Sequence, residues 1–186
     1  MKFRHILNEQ VQPTSKKELK EIIEETIEVY GPNCDLNFID TSKVVDMSYL
    51  FHESDFNGDI SKWNTSNVTN MDHMFCDSKF NGDILEWDVS SVRDMSYMFA
   101  SSQFNRDIYK WDVSSVRKTK GMFSFSKFNK DISNWDVSNV IDMSDMFLKS
   151  KFDGDISKWE VINSKERDRL FDGSPLDDNP PTWYVK

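Results

Sequence analysis

Trp87-Asp88-Val89-Ser90-Ser91-Val92-Arg93-Asp94-Met95-Ser96-Tyr97-Met98-Phe99-Ala100-Ser101-Ser102-Gln103-Phe104-Asn105-Arg106-Asp107-Ile108-Tyr109-Lys110 is followed by Trp111, where the same order of residues begins again. Trp63, Trp87, Trp111, Trp135, Trp159 and Trp183 are each 24 residues from their neighbours, so one structural unit is reused along most of the chain. A fixed period of this length is the signature of a solenoid, in which each coil packs only on its neighbours.

Aligning the units sorts their positions into columns. Phe51, Phe75, Phe99, Phe123, Phe147 and Phe171 form one, and Phe56, Phe80, Phe104, Phe128 and Phe152 another. Ile60, Ile84, Ile108, Ile132 and Ile156 form a third, and Val44, Val68, Val92, Val116 and Val140 a fourth. A position that stays apolar in every coil points inward, because only burial forbids polar residues in all of them. The chain is just 38% hydrophobic, with mean hydropathy -0.63, and large aromatic side chains compensate for the few core positions per coil.

Polar columns are equally regular: Ser54, Ser78, Ser102, Ser126, Ser150 and Ser174; Asn57, Asn81, Asn105 and Asn129 with Asp153; and Asp59, Asp83, Asp107, Asp131 and Asp155. Ionised aspartates stacked coil on coil repel unless each carboxylate accepts backbone N–H groups or meets a cation. Two readings follow: Asx-turn chemistry at tight corners, or a ladder of calcium sites. One Asn-Gly-Asp per coil is sparse for the second.

Within a unit, Val92-Arg93-Asp94-Met95 alternates apolar and polar residues and predicts a short parallel strand. Ser-Tyr-Met-Phe after it suits a helical turn, and Phe104 through Trp111 returns along the other side. Ser15-Lys16-Lys17-Glu18 has the capping-box pattern; Leu19, Ile22, Ile23, Ile27 and Tyr30 then share one helical face until Gly31-Pro32. At the far end Ser164 and Arg167 replace the Val and Met columns, Pro175, Pro180 and Pro181 interrupt the return, and Trp183 and Val185 rejoin it. The expected organisation is an N-terminal segment and capping helix over 1–32, a solenoid over 33–161 and a degenerate capping repeat over 162–186. The expected fold is an α/β solenoid: a right-handed, leucine-rich-repeat-like stack with a short parallel β-sheet, helical turns and an N-terminal capping helix.

These runs resemble the BspA-like leucine-rich repeat family, whose units read close to Phe-Asn-x-Asp-Ile-x-x-Trp-Asp-x-Ser-x-Val-x-x-Met-x-x-Met-Phe. The resemblance covers roughly residues 33–171, with units one residue shorter than is usual there, between the Met-Phe pair and the next Phe. It implies a surface role, adhesion to host matrix proteins or to other cells. The start of the chain lacks an apolar run of signal-peptide length and no stretch approaches a membrane span. The chain as written therefore reads as cytoplasmic, or as cell-surface if it is a fragment of a family-typical surface protein.

Function is sought where columns vary. One variable column holds Tyr49, His73, Tyr97, Gly121, Asp145 and Arg169; a second holds His52, Cys76, Ala100, Ser124, Leu148 and Asp172; a third holds Glu53, Asp77, Ser101, Phe125, Lys149 and Gly173. Tyr49, Tyr97, Tyr109 and Phe125 are aromatics that neighbouring coils do not demand, and exposed aromatics commonly anchor interfaces. Arg117-Lys118-Thr119-Lys120-Gly121 breaks the pattern and, with Arg93 and Arg106 nearby in column position, makes a basic island in an acidic chain. His73, Arg93, Arg117, Lys118 and Lys120 thus join the aromatics as candidate partner contacts.

Lys+Arg total 23 against Asp+Glu 32, a formal net charge of -9, which argues against direct nucleic-acid binding. Cys34 and Cys76 fall in different columns, suggesting neither disulfide nor metal spacing, and no glycine-rich phosphate loop or catalytic cluster appears. The sequence therefore predicts no catalytic, cofactor or metal residues. It points to a monomeric, non-enzymatic protein-binding repeat module, an adhesion or interaction scaffold without membrane insertion and with an unidentified protein partner. The alternative is an acidic decoy that inhibits a nucleic-acid-binding protein.

Overall fold

The computed structural model describes residues 10–184, so His5 and Val185 lie outside the described residues. Helix α1 spans Lys16–Tyr30 and opens at Ser15, whose hydroxyl accepts the Glu18 N–H at 3.2 Å. The Glu18 carboxylate reaches back to the Thr14 N–H at 2.8 Å, one residue earlier than a capping box on Ser15 requires. Gly31 ends the helix at φ 85°, its N–H bonding the Ile27 carbonyl at 2.8 Å. Leu19 and Ile23 enter the same core as the coils, while Tyr30, placed by spacing on the apolar face, is exposed. No helix among the described residues is long and apolar enough to cross a membrane.

The expected parallel sheet and helical turns are absent among the described residues. Neighbouring coils share isolated parallel bridges, Asp46 with Asn70, Asn70 with Asp94, Asp94 with Lys118, Lys118 with Asp142 and Asp142 with Glu166. Beyond α1, the described residues hold a single short 3-10 helix, Pro175–Asp177. The α/β solenoid with a sheet is thereby corrected: the coils are built of turns.

The reason lies in the backbone. After Asn70, the N–H groups of Met71, His73, Phe75 and Asp77 each donate at 2.9 Å to the next coil, to the carbonyls of Asp94, Ser96, Met98 and Ala100. The intervening N–H groups of Met74, Cys76 and Ser78 turn back on their own coil, to Met71, His73 and Phe75. These are overlapping β-turns. His73 and Asp77 occupy the third position of the turns 71–74 and 75–78, and both have φ of 54°. A left-handed residue every fourth position prevents the extended run a strand needs, yet alternate N–H groups still reach the neighbouring coil. The apolar residues of the stretch, Met71, Met74 and Phe75, are buried, but in a ladder of turns.

Side chains close the remaining corners. Asp88, Asp94 and Asp83 accept the N–H two residues on, from Ser90, Ser96 and Leu85, at 2.9 to 3.0 Å. Ser78 Oγ accepts the Phe80 N–H at 3.3 Å, and Asn57 Oδ1 accepts the Asn81 N–H of the next coil at 2.8 Å. The Asp column thus does turn chemistry within its own coil, whereas the Asn column forms a ladder from coil to coil. At Asp59 the Ser61 N–H holds the carboxyl below its ordinary range, and at Asp88 the Ser90 hydroxyl does so.

Inside, the two Phe columns form continuous stacks: Phe51, Phe75, Phe99 and Phe123 follow one another at 5.4 to 5.8 Å between ring centres. Trp63 and Trp87 stack at 6.3 Å, Trp111 and Trp135 at 6.4 Å. Each of these indole N–H groups donates to a carbonyl of the preceding coil, as Trp111 does to Ile84 at 3.0 Å. That bond gives the buried indole N–H its partner and is the second one to the Ile84 carbonyl, which also accepts the Trp87 backbone N–H at 3.2 Å. At the far end Trp183 stacks on Trp159 at 6.3 Å but is only partly buried, and Ser164 in the Val column bonds the Glu166 carbonyl through its hydroxyl.

Candidate functional site

The third position of each turn projects a side chain from a left-handed backbone, and these positions are two of the three variable columns. Tyr49, His73, Tyr97, Gly121, Asp145 and Arg169 have φ between 51° and 61°; Glu53, Asp77, Ser101, Phe125, Lys149 and Gly173 lie between 51° and 69°. Ten of these twelve are not glycine, and a left-handed L-residue costs roughly 1–2 kcal/mol. The scaffold alone would be better served by glycine. The side chains therefore stand in a strained position that the fold does not need them to fill.

They are organised along the stack. Tyr49 and His73 lie ring on ring at 4.6 Å, His73 and Tyr97 at 4.7 Å, and His73 Nδ1 is 2.7 Å from an Asp72 carboxylate oxygen. Burial, then the Asp72 charge, pushes the Tyr49 phenol up, although its side chain is 41% exposed. Gly121 ends the aromatic run: a Cβ there would lie 2.3 Å from the Tyr97 ring, so the ring rests on its backbone. Farther on, Arg169 Nη2 donates to Asp145 Oδ2 at 2.9 Å. Its Nε sits 2.9 Å from Oδ1 as an ion pair, out of line for a hydrogen bond.

In the neighbouring column, Phe125 is 54% exposed, and the Lys149 ammonium stands over its ring 5.5 Å from the centre. The basic island is less free than its charges suggest. Lys118 pairs with Asp94 at 3.3 Å, while Arg93 and Arg117 lean on the carbonyls of Ser115 and Asn139 at 3.5 and 3.4 Å. Lys120 is half-buried in the coil carrying Gly121. Tyr109 is 43% exposed in the column of Leu85 and Ser133, outside the left-handed face. The structure thus brings Tyr49, His73 and Tyr97 together, sets Phe125 beside them on the next column, and leaves Tyr109 elsewhere.

One grouping was missed by the sequence reading, which assigned no metal-ligand set. Ligand atoms of His52, Cys76 and Asp77 lie within 4.8 Å of one another. The available signal was the period itself, since position 76 is one unit beyond 52. The Cys76 thiol donates to Asp77 Oδ2 at 3.3 Å; burial first, then Asp77, pushes it up to about 12, with Glu53 and Asp72 adding their charge.

No curated protein and no solved structure matches the chain. A family model does, over residues 17–127 and again over 101–186, the two stretches overlapping as expected of a chain that repeats itself. The chain belongs to the family described as "Mycoplasma protein of unknown function, DUF285".

Proposed function

We propose that the chain is a non-enzymatic protein-binding module of the BspA-like repeat kind, an adhesion or interaction scaffold whose left-handed columns are its contact face. The observation that carries this reading is the occupancy of those columns. Backbone groups of each coil are satisfied by the next coil or by its own turns without help from these side chains, yet aromatic and charged residues fill strained positions. Rigid, partly exposed rings lose little rotamer entropy on binding and bury large areas, which suits Tyr49, Tyr97 and Phe125 to anchoring a folded partner. The organisation into capping segment, solenoid and degenerate last repeat, and a monomeric state, belong to the same proposal.

Capturing partners from the native source with the immobilised chain, identifying them, and titrating a purified partner tests it. Saturable binding that Tyr97→Ser with Phe125→Ser weakens at least about tenfold, and that moderate salt barely changes, supports the module. Steep loss of affinity with salt, insensitive to those two residues, would instead make the chain an acidic decoy for a cationic partner, a reading favoured by the net charge of -9. Replacing Arg117, Lys118 and Lys120 by Glu removes the basic island from the contact face if recovery is unchanged.

A further inference from the structure

We propose that His52, Cys76 and Asp77 bind a divalent transition-metal ion of the zinc class, with Glu53 supplying the fourth ligand. The solenoid register builds the set. His52 and Glu53 are adjacent on one coil, Cys76 and Asp77 one period later on the next, so imidazole stands over thiol and carboxylate over carboxylate. The same two columns continue as Ala100 and Ser101, Ser124 and Phe125, Leu148 and Lys149, so this is the one pair of adjacent coils where both columns carry metal-ligand side chains. Three ligand atoms already lie within 4.8 Å of one another, and the Cys76 sulfur and Asp77 oxygen are 3.3 Å apart. Tetrahedral zinc with bonds of about 2.0–2.3 Å spaces its ligands roughly 3.5 Å apart, so the His52 ring has to close in and the exposed Glu53, outside that group of three, has to turn toward it.

The donor chemistry selects the ion. One sulfur, one imidazole nitrogen and carboxylate oxygens suit zinc and its neighbours, whereas calcium and magnesium demand an all-oxygen shell. Position favours it too. Asp77 is exposed and His52 half-buried, so an ion can enter from solvent, while Asp72 adds negative charge close to the sulfur. On binding, the thiol proton passes to solvent as the sulfur–metal bond forms. An ion here would tie two coils beside the Tyr49–His73–Tyr97 stack, the His52 ring lying 5.5 Å from Tyr49 and 6.1 Å from His73, whether or not that stack binds a partner.

Full-length chain, stripped with a chelator, is titrated with Zn2+ against a chromophoric competitor, and in parallel with Co2+ to read the thiolate-to-cobalt absorption band. The expected result is one equivalent per chain, a sulfur-to-cobalt band, and a Zn2+-dependent rise in Tm that Ca2+ and Mg2+ do not reproduce. His52→Ala and Cys76→Ser each weaken binding at least about tenfold, and Cys76→Ser abolishes the band. Cys34→Ser leaves both intact. Should Cys76→Ser not fold, His52→Ala and Asp77→Asn, which alter more exposed positions, carry the same comparison. Absence of stoichiometric uptake, or uptake unchanged in His52→Ala and Asp77→Asn, overturns the proposal.

Discussion

Replacing Trp111 by alanine removes an interior block of the stack. The residue is 3% exposed, stacks on Trp135 at 6.4 Å and on Phe99 at 6.2 Å, and donates its indole N–H to the Ile84 carbonyl at 3.0 Å. A buried tryptophan cut to alanine costs about 3–5 kcal/mol in lost transfer energy and cavity, and the lost indole hydrogen bond adds about 1 kcal/mol, the Ile84 carbonyl keeping the Trp87 N–H at 3.2 Å. The total comes to about 5 kcal/mol, which for a chain this long lowers Tm by roughly 10–20 °C. Trp111→Phe separates the two contributions: an aromatic ring persists, the Ile84 carbonyl keeps only the Trp87 N–H of its two donors, and about 1–2 kcal/mol should go. Trp183→Ala is the control at the end of the stack. It bonds Ile156 in the same way at 2.8 Å but is partly exposed, so about half the interior loss is expected. Urea titrations followed by circular dichroism report all three. Equal losses at positions 111 and 183, or a neutral Trp111→Phe, would refute the reasoning.

Three further outcomes follow from single features. Thr119 is 3% exposed in a column otherwise held by Met71, Met95 and Met143, and its hydroxyl has no hydrogen-bond partner, so Thr119→Met should stabilise by about 1–2 kcal/mol in a urea titration. Gly121→Ala places a methyl group 2.3 Å from the Tyr97 ring at a φ of 58°, and should destabilise by about 1–3 kcal/mol while shifting the Tyr97 ring resonances in NMR spectra. The carboxyls of Asp40, Asp59, Asp88 and Asp136 are held low by the hydroxyl and N–H groups of Ser42, Ser61, Ser90 and Ser138. A carboxyl lowered by folding contributes stability that is present above its unfolded pKa of about 3.9 and lost as pH falls through the folded value. Tm should therefore be flat above about pH 5 and fall steadily toward about pH 2; a Tm that rises on acidification would contradict the corner assignment.

Much of the interior was legible because a solenoid states its core repeatedly. The Phe, Ile, Val and Trp columns read from the sequence are the buried columns of the structure, and the Asp and Ser columns bond the turns as their chemistry suggested, while the Asn column bonds the next coil instead of its own. The sheet was not legible, for a physical reason. The short stretch Val92-Arg93-Asp94-Met95, apolar at both ends and polar between, reads as a strand, whereas in the ladder of turns that follows only every second N–H is aimed at the next coil and the others close turns. What separates them is a positive φ, ordinarily announced by Gly or Asn, whereas here Tyr49, His73, Tyr97 and Phe125 occupy those positions. The variable columns were visible as variable, but their left-handed backbone was not. Tyr109 shows the complementary error: an unrepeated aromatic is exposed, yet it lies in a different column from the others. His52 and Cys76 went unpaired because metal spacing was sought along the chain, while the coil brings residues together across a period.

Hydrogen-bond scalar couplings in deuterated, 15N,13C-labelled protein test the turn ladder most directly. The account predicts correlations from the N–H groups of Met71, His73, Phe75 and Asp77 to the carbonyls of Asp94, Ser96, Met98 and Ala100, with Met74, Cys76 and Ser78 coupled three residues back in their own coil. Correlations four residues back, or a pattern in which Cys76 and Ser78 also reach a neighbouring segment, would replace the coil of turns with helix or strand and contradict it.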